Sequence, residues 1–290
     1  MKVALQLYSV KDHLKEDGIG TMRQVADIGY KYIEPFGFPK GDSKDEIEKN
    51  CGLNMSLADA KAFLKSSGIQ VIGGHYYYPG TPGFETMCAY YAELGAKQIG
   101  SGGDFFPGGM DELKEKLALM VKDAEIAKKY GLRYYYHNHF WEYQKFGDRT
   151  IMEILQDETG ADTMLFELDT YWAARGGIDI EKEIARIGDR LILMHQKDYS
   201  KTTDEKINLF EWKIDINKPI HPEDHRDARH VGTFAEVGTG ILPIQSYIDA
   251  GNKVGVEYII LEQDLTAMDE LESIKISMEA FKKFKGLEWD

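Results

Sequence analysis

Ionisable side chains gather at the ends of short apolar runs in this 290-residue chain. Ile33-Glu34 closes one run, Gly74-His75 another, and His137-Asn138-His139 a third, with Glu142 just beyond. Glu167 and Asp169, then His195 and Lys197, then Glu262 and Asp264 close three more. Carboxylates converging away from water are costly unless a cation neutralises them. Glu142, Asp169, His195 and Glu262 together offer three oxygens and one imidazole nitrogen. That set suits Mn²⁺, Mg²⁺, Co²⁺ or Zn²⁺ and is unlike a thiolate site. By spacing alone His137 or His139 would serve as well as Glu142. Taken singly, each residue has an ordinary structural role as a helix cap, half of a salt bridge or a core histidine. Their joint occurrence at successive run ends is what favours a site.

The elements that must position these groups alternate regularly. Residues 3–9, 30–36, 69–76, 97–100, 132–138, 163–169, 190–196 and 257–263 read as strands, each followed by helix-forming sequence. In the stretch 110–130, Leu113, Leu117, Met120, Val121 and Ala124 recur at helical spacing. Gly68, Gly131 and Gly255 punctuate the helix ends. Eight strand-helix units predict an α/β fold, a (β/α)8 TIM barrel forming one domain over 1–290, in which groups at C-terminal strand ends line the mouth. A doubly wound sheet is disfavoured, because neither GxGxxG after the first strand nor GxxxxGK[ST] is present.

Period-two spacing assigns faces. His195 and Lys197 share one with Leu191 and Leu193, and Glu262 and Asp264 share one with Tyr258 and Ile260, so these faces are expected inside the barrel. Glu167 lies one layer below Asp169 and needs a partner, with Arg133 the candidate, or else a raised pKa. The segment 198–240 departs from the repeat, lacks periodicity and carries His221, His225 and His230. It is expected to be a long loop after strand seven, acting as a lid or an oligomer contact, with the three histidines solvated.

Composition removes other classes of function. With 35 Lys plus Arg against 49 Asp plus Glu the net charge is -14, which disfavours nucleic-acid binding through a basic face and attraction to anionic lipid. Two cysteines, Cys51 and Cys88, make neither a disulfide framework nor a CxxC metal site. The chain begins Met1-Lys2-Val3 and enters a strand directly, without the pattern of an export signal, so a cytoplasmic location is expected.

Several stretches resemble one family. Tyr136-His137-Asn138-His139-Phe140-Trp141-Glu142-Tyr143 is similar to the YHNHxFEF motif of the xylose isomerase-like sugar isomerases and epimerases. Asp169-Thr170-Tyr171-Trp172 with Gly176-Gly177-Ile178-Asp179 resembles their DxxW…GxDP segment, and His195-Gln196-Lys197-Asp198 their HxKD. Val237-Gly238-Thr239-Gly240-Ile241-Leu242-Pro243 and Tyr258-Ile259-Ile260-Leu261-Glu262-Gln263-Asp264 complete the set, in order along the chain.

The resemblance implies one divalent ion on Glu142, Asp169, His195 and Glu262, acting on a small-molecule sugar, in a homodimer or homotetramer. Epimerases of the family pair a strand-five Glu with the strand-eight Glu to shuttle the proton. Here His137 stands at that place and the Glu is displaced to 142. An ion on a sugar carbonyl acidifies the neighbouring C–H. Glu142, Glu262, His139 and Lys197 are the candidate proton-transfer groups, with Lys197 alternatively neutralising a carboxylate or holding an oxyanion. Glu34, His75, His137, Trp172 and Arg175 are the candidate substrate contacts, Arg175 for an anion. Trp141, Tyr76 and Phe36 offer flat apolar surfaces. The same chemistry would also serve dehydration or 3-keto-glycoside cleavage. The alternatives of other classes are a non-catalytic sugar-binding subunit and a nuclease of the same barrel, which the charge disfavours.

Overall fold

A computed structural model describes residues 1–289. One parallel sheet runs through Phe36–Gly37, His75–Tyr76, Gln98–Ser101, Arg133–His137, Leu165–Asp169, Leu191–Gln196, Tyr258–Leu261, Lys2–Gln6, Tyr32–Glu34 and Gln70–Val71, each hydrogen-bonded to the next. Phe36–Gly37 continues Tyr32–Glu34, and His75–Tyr76 continues Gln70–Val71, so the two ends of this order are halves of the same two strands. The sheet therefore closes on itself as eight strands, the expected (β/α)8 barrel.

Strand bounds differ from the sequence expectation where side chains intervene. The first strand stops at Gln6, whose side chain accepts from the Tyr8 N–H at 3.2 Å and starts the 3₁₀ turn Leu7–Val10. Strand three breaks at Gly73-Gly74, where a Cβ on Gly74 would lie 2.4 Å from the Tyr91 ring. The helix Gly109–Lys129 forms as its spacing predicts, burying Leu113, Leu117, Met120 and Ala124.

Parity builds the barrel interior in layers. Ala4, Tyr32, Tyr135, Leu193 and Ile260 make an apolar plug. Above it Gln6 is in register with Glu34, and His137 with Glu167. The Asp169–His195 pair follows. His195 and Glu262 thus lie inside, as their shared face with Leu193 and Ile260 requires. Arg133 does not reach Glu167; it pairs with Glu257 at 2.6 and 2.9 Å at the opposite end of the strand.

The long loop after strand seven is ordered by its first residue. Asp198 accepts from the N–H groups of Tyr199 (2.8 Å), Gly238 (3.0 Å), Gly240 (2.9 Å) and Leu242 (3.0 Å). A Cβ on Gly240 would sit 2.3 Å from Asp198 Oδ1, so the GxG stretch is shaped around this carboxylate. Between these ends the loop holds the hairpin Asp198–Tyr199 with Phe234–Ala235 and the helix Pro222–Ala228. Arg175, fully buried, donates to Tyr171 Oη (3.2 Å) and Glu205 (3.4 Å), and its guanidinium lies over the Tyr199 ring. No helix among the described residues is long and apolar enough to cross a membrane.

Candidate active site

Four strand ends bring their side chains to one point. One ligand atom each from His137, Asp169, His195 and Glu262 lies within 4.8 Å of the others. Asp169 divides its work between structure and site. Its Oδ1 accepts from the Trp172 N–H at 2.8 Å and caps the helix Thr170–Arg175, while Oδ2 accepts from Lys197 Nζ. Lys197, fully buried, also donates to Glu262 Oε2 at 2.5 Å and lies 3.3 Å from Asp264.

A second set lies one layer deeper. Glu167 Oε2 is 2.6 Å from His75 Nε2, 3.0 Å from His137 Nδ1 and 3.3 Å from His195 Nε2. Glu34 Oε2 accepts from Gln6 Nε2 at 2.9 Å and His195 Nε2 at 2.8 Å, and its other oxygen accepts from Tyr135 Oη. His195 reaches Glu262 with its remaining nitrogen, Nδ1, at 3.0 Å.

These contacts decide the charges. Burial alone would depress His195, but Glu167 and Glu262 outweigh it and hold its pKa well above the usual value. Burial also opposes the charge on Lys197, yet Asp169, Asp264 and Glu262 raise its pKa well above that of a free lysine. Lys197 is therefore an ammonium, and the lowered pKa a lysine base would need is not found. Glu167 is pushed up by burial and more strongly down by His195 and His75, which leave it well below the ordinary range, so the raised value expected of an unpaired carboxylate does not arise. Burial lifts Asp169 to about 6 against the pull of Lys197. His137 falls to about 3 through burial and its neighbour His195, so its ring is neutral.

Above the cluster opens a cavity of about 210 Å³. His75, His137, Glu262 and Asp264 line its lower part. Tyr8 and the stacked Phe38 and Tyr77 also line it, as do Phe105, His139, Trp141 and His225, whose rings contact one another. His139 stacks on Trp141 with centroids 4.2 Å apart. His139 Nδ1 and His225 Nε2 are buried and make no hydrogen bond within the protein.

A family model for the xylose isomerase-like TIM barrel matches residues 22–284. The chain belongs to that family. A sugar phosphate isomerase/epimerase from Parabacteroides distasonis ATCC 8503 is similar over 99% of this chain and 95% of its own, with TM-score 0.73 and 20% identity. IolI protein, in a structure with a bound zinc atom, is similar over 98% and 100%, with TM-score 0.69 and 16% identity. The probable 3-DHS dehydratase AsbF from Bacillus anthracis matches over 98% and 99%, with TM-score 0.69 and 12% identity. The search of curated proteins gave no match.

The family resemblance implies Glu142 as the strand-five ligand, but the structure does not bring Glu142 to the other three. Its carboxylate turns away to accept from Tyr136 Oη (2.7 Å) and the His139 N–H (2.8 Å), and burial lifts its pKa to about 8. His137, on the inward face of the strand, is the strand-five side chain whose ring nitrogen lies with the other three.

Among the expected substrate contacts, His75 and His137 line the cavity. Glu34 lies beneath it, its oxygens taken by Gln6, Tyr135 and His195. Trp172 is fully buried behind His139, 5.8 Å between centroids. Arg175 is away from the mouth and anchors the loop instead. Tyr76 faces outward to Asp123 and Tyr134, and Phe36 packs edge-on against Tyr8.

His221 and His230 are exposed as expected, whereas His225 enters the cavity wall. Tyr8, Tyr77, His225, Arg229 and Asp264 are cavity residues that no site assignment from sequence included. Tyr8 and Asp264 were legible in principle, each two residues beyond an inward-facing Gln6 or Glu262. His225 and Arg229 sit in an aperiodic loop and gave no signal.

Proposed function

We propose that this protein is a divalent-metal-dependent isomerase or epimerase of an unphosphorylated sugar or keto-sugar. The observation that carries the proposal is the convergence of His137, Asp169, His195 and Glu262 from four successive strand ends at the floor of the cavity. Two imidazoles and two carboxylates fit a divalent ion, and Lys197 already offsets one negative charge there. When bound, such an ion supplies Lewis acidity that polarises a carbonyl and acidifies the adjacent C–H.

The chain's own groups then divide the remaining work. Glu262, held ionised by Lys197 and His195 and open to the cavity, takes the proton. The Lys197 ammonium offsets charge that develops on the neighbouring oxygen. Neutral His139 and His225 present free ring nitrogens to substrate hydroxyls, and the Phe105–Trp141–His139 stack bounds the cavity beside them. Arg229 is matched by Tyr8 Oη at 2.8 Å and by Asp264 at 3.6 Å, which supports a neutral substrate over a phosphorylated one.

Elimination is the second reading, as dehydration or 3-keto-glycoside cleavage. It is favoured by the unpartnered Nε2 of His225 in the cavity lining, which would hydrogen-bond a departing oxygen.

Aldoses, ketoses and 3-keto glycosides incubated with the protein and Zn²⁺ or Mn²⁺ in D₂O should show, for at least one compound, deuterium at a carbon beside the carbonyl. Recovered isomer supports the first reading and an eliminated product the second. Absence of exchange with every compound would contradict both and leave a sugar-binding role.

A further inference from the structure

We propose that Glu34 and Glu167 are positioning residues that select which ring nitrogen of His195 and His137 faces the metal. The inference rests on the assignment of His137 and His195 as ligands. A neutral imidazole carries one N–H and one lone pair, and the hydrogen bond made by one nitrogen sets which is which.

Glu167 Oε2 accepts from His137 Nδ1 at 3.0 Å, which turns the lone pair of Nε2 toward Asp169, 4.0 Å away. Glu34 Oε2 accepts from His195 Nε2 at 2.8 Å, so Nδ1, 3.0 Å from Glu262, is the nitrogen that would carry the lone pair in the neutral ring an ion binds. Both carboxylates are fully buried, and neither lines the cavity. Each is itself fixed from behind: Glu167 by His75 Nε2 at 2.6 Å, and Glu34 by Gln6 at 2.9 Å and by Tyr135 Oη. A buried carboxylate with this many donors and no access to substrate has one evident task here, the orientation of the histidine it holds.

The competing arrangement is a second ion among His75, His137, Glu167 and His195, whose ligand atoms also lie within 4.8 Å of one another. Filling both positions would require His137 and His195 to offer lone pairs from both ring nitrogens. That means two bridging imidazolates, and the two carboxylates would lose their hydrogen bonds.

Co²⁺ titration of the whole chain, with chelator competition for affinity and visible absorption for geometry, separates these cases. The parent should bind one Co²⁺ per chain. Glu167→Gln and Glu34→Gln should each still bind one, about 10- to 100-fold more weakly and with an altered spectrum. Glu167→Asp, which keeps the charge, should recover part of the loss. Asp123→Asn, which removes a buried carboxylate that serves Tyr76 and Gly80 far from the cluster, should bind as the parent does. Near-UV circular dichroism identifies any variant that has not folded; Glu34→Gln reports on His195, and Glu167→Gln on His137 together with His195.

Parent-like affinity and spectrum in both Gln variants would overturn the inference while leaving the metal site standing. Two Co²⁺ per parent chain, one of them lost in Glu167→Gln, would overturn it in favour of the second ion. A parent that binds no Co²⁺ would overturn the functional proposal itself.

Discussion

Lys197→Met should destabilise the metal-free protein by about 3–5 kcal/mol, the usual cost of removing one partner from a buried ion pair. The side chain is fully buried and meets Asp169, Glu262 at 2.5 Å and Asp264 at 3.3 Å. Methionine fills the same space but removes the cation the three share, leaving Glu262 to His195, Asp264 to Arg229 and Asp169 to a neutral His137. Urea unfolding in the presence of chelator measures this loss.

The same variant should gain more from a divalent ion than the parent does, because the ion replaces the missing positive charge. The rise in Tm on adding Zn²⁺ should therefore be larger for Lys197→Met. A variant as stable as the parent without metal, with the same response to Zn²⁺, would show that Lys197 does not hold these carboxylates together.

Glu262→Gln should lower the rate of substrate deuterium exchange by about 10³-fold or more at saturating metal, through loss of both a proton acceptor and a ligand oxygen. Glutamine keeps the shape and one carbonyl oxygen, so His195 Nδ1 and Lys197 retain an acceptor and the fold should survive. Glu262 is the carboxylate of the cluster that opens into the cavity, whereas Asp169 is engaged as a helix cap on its other oxygen. The measurement is the exchange rate of whichever compound the D₂O panel identifies, compared at equal metal occupancy. An unchanged rate would move the proton-transfer role to His139, whose free Nδ1 lies on the cavity wall.

The barrel and its inward faces were largely readable from period and parity, because a strand end with Leu193, His195 and Lys197 at alternate positions has only one face to give to the interior; Leu191, beyond a register shift, packs with Phe166 in the outer core instead. The convergence of Asp169, His195 and Glu262, three of the proposed ligands, was readable on the same ground. It was not readable for strand five. Motif resemblance favours the carboxylate of Glu142, and only the three-dimensional path of the chain shows that carboxylate satisfied by Tyr136 Oη and the His139 N–H.

Glu167 was recognised as needing a partner, but three histidines from three different strands cannot be assembled from local spacing. The separations of its neighbours, 92 residues to His75 and 30 to His137, are set by closure of the barrel. Arg175 misled for a related reason: a cation one turn into the helix after strand six looks like a mouth residue, yet its guanidinium is used up by Tyr171 and Glu205. His225 became a site residue because the loop ordered by Asp198 carries the helix Pro222–Ala228 over the cavity, a consequence of long-range hydrogen bonds that leave no periodic trace.

Metal analysis of chelator-stripped, Zn²⁺-reloaded protein tests the central claim most directly, with His137→Ala and Glu142→Ala beside the parent. One Zn²⁺ per chain in the parent, retained in Glu142→Ala and lost in His137→Ala, is the predicted result. A parent that takes up no ion, or a site that survives His137→Ala and disappears in Glu142→Ala, would contradict it.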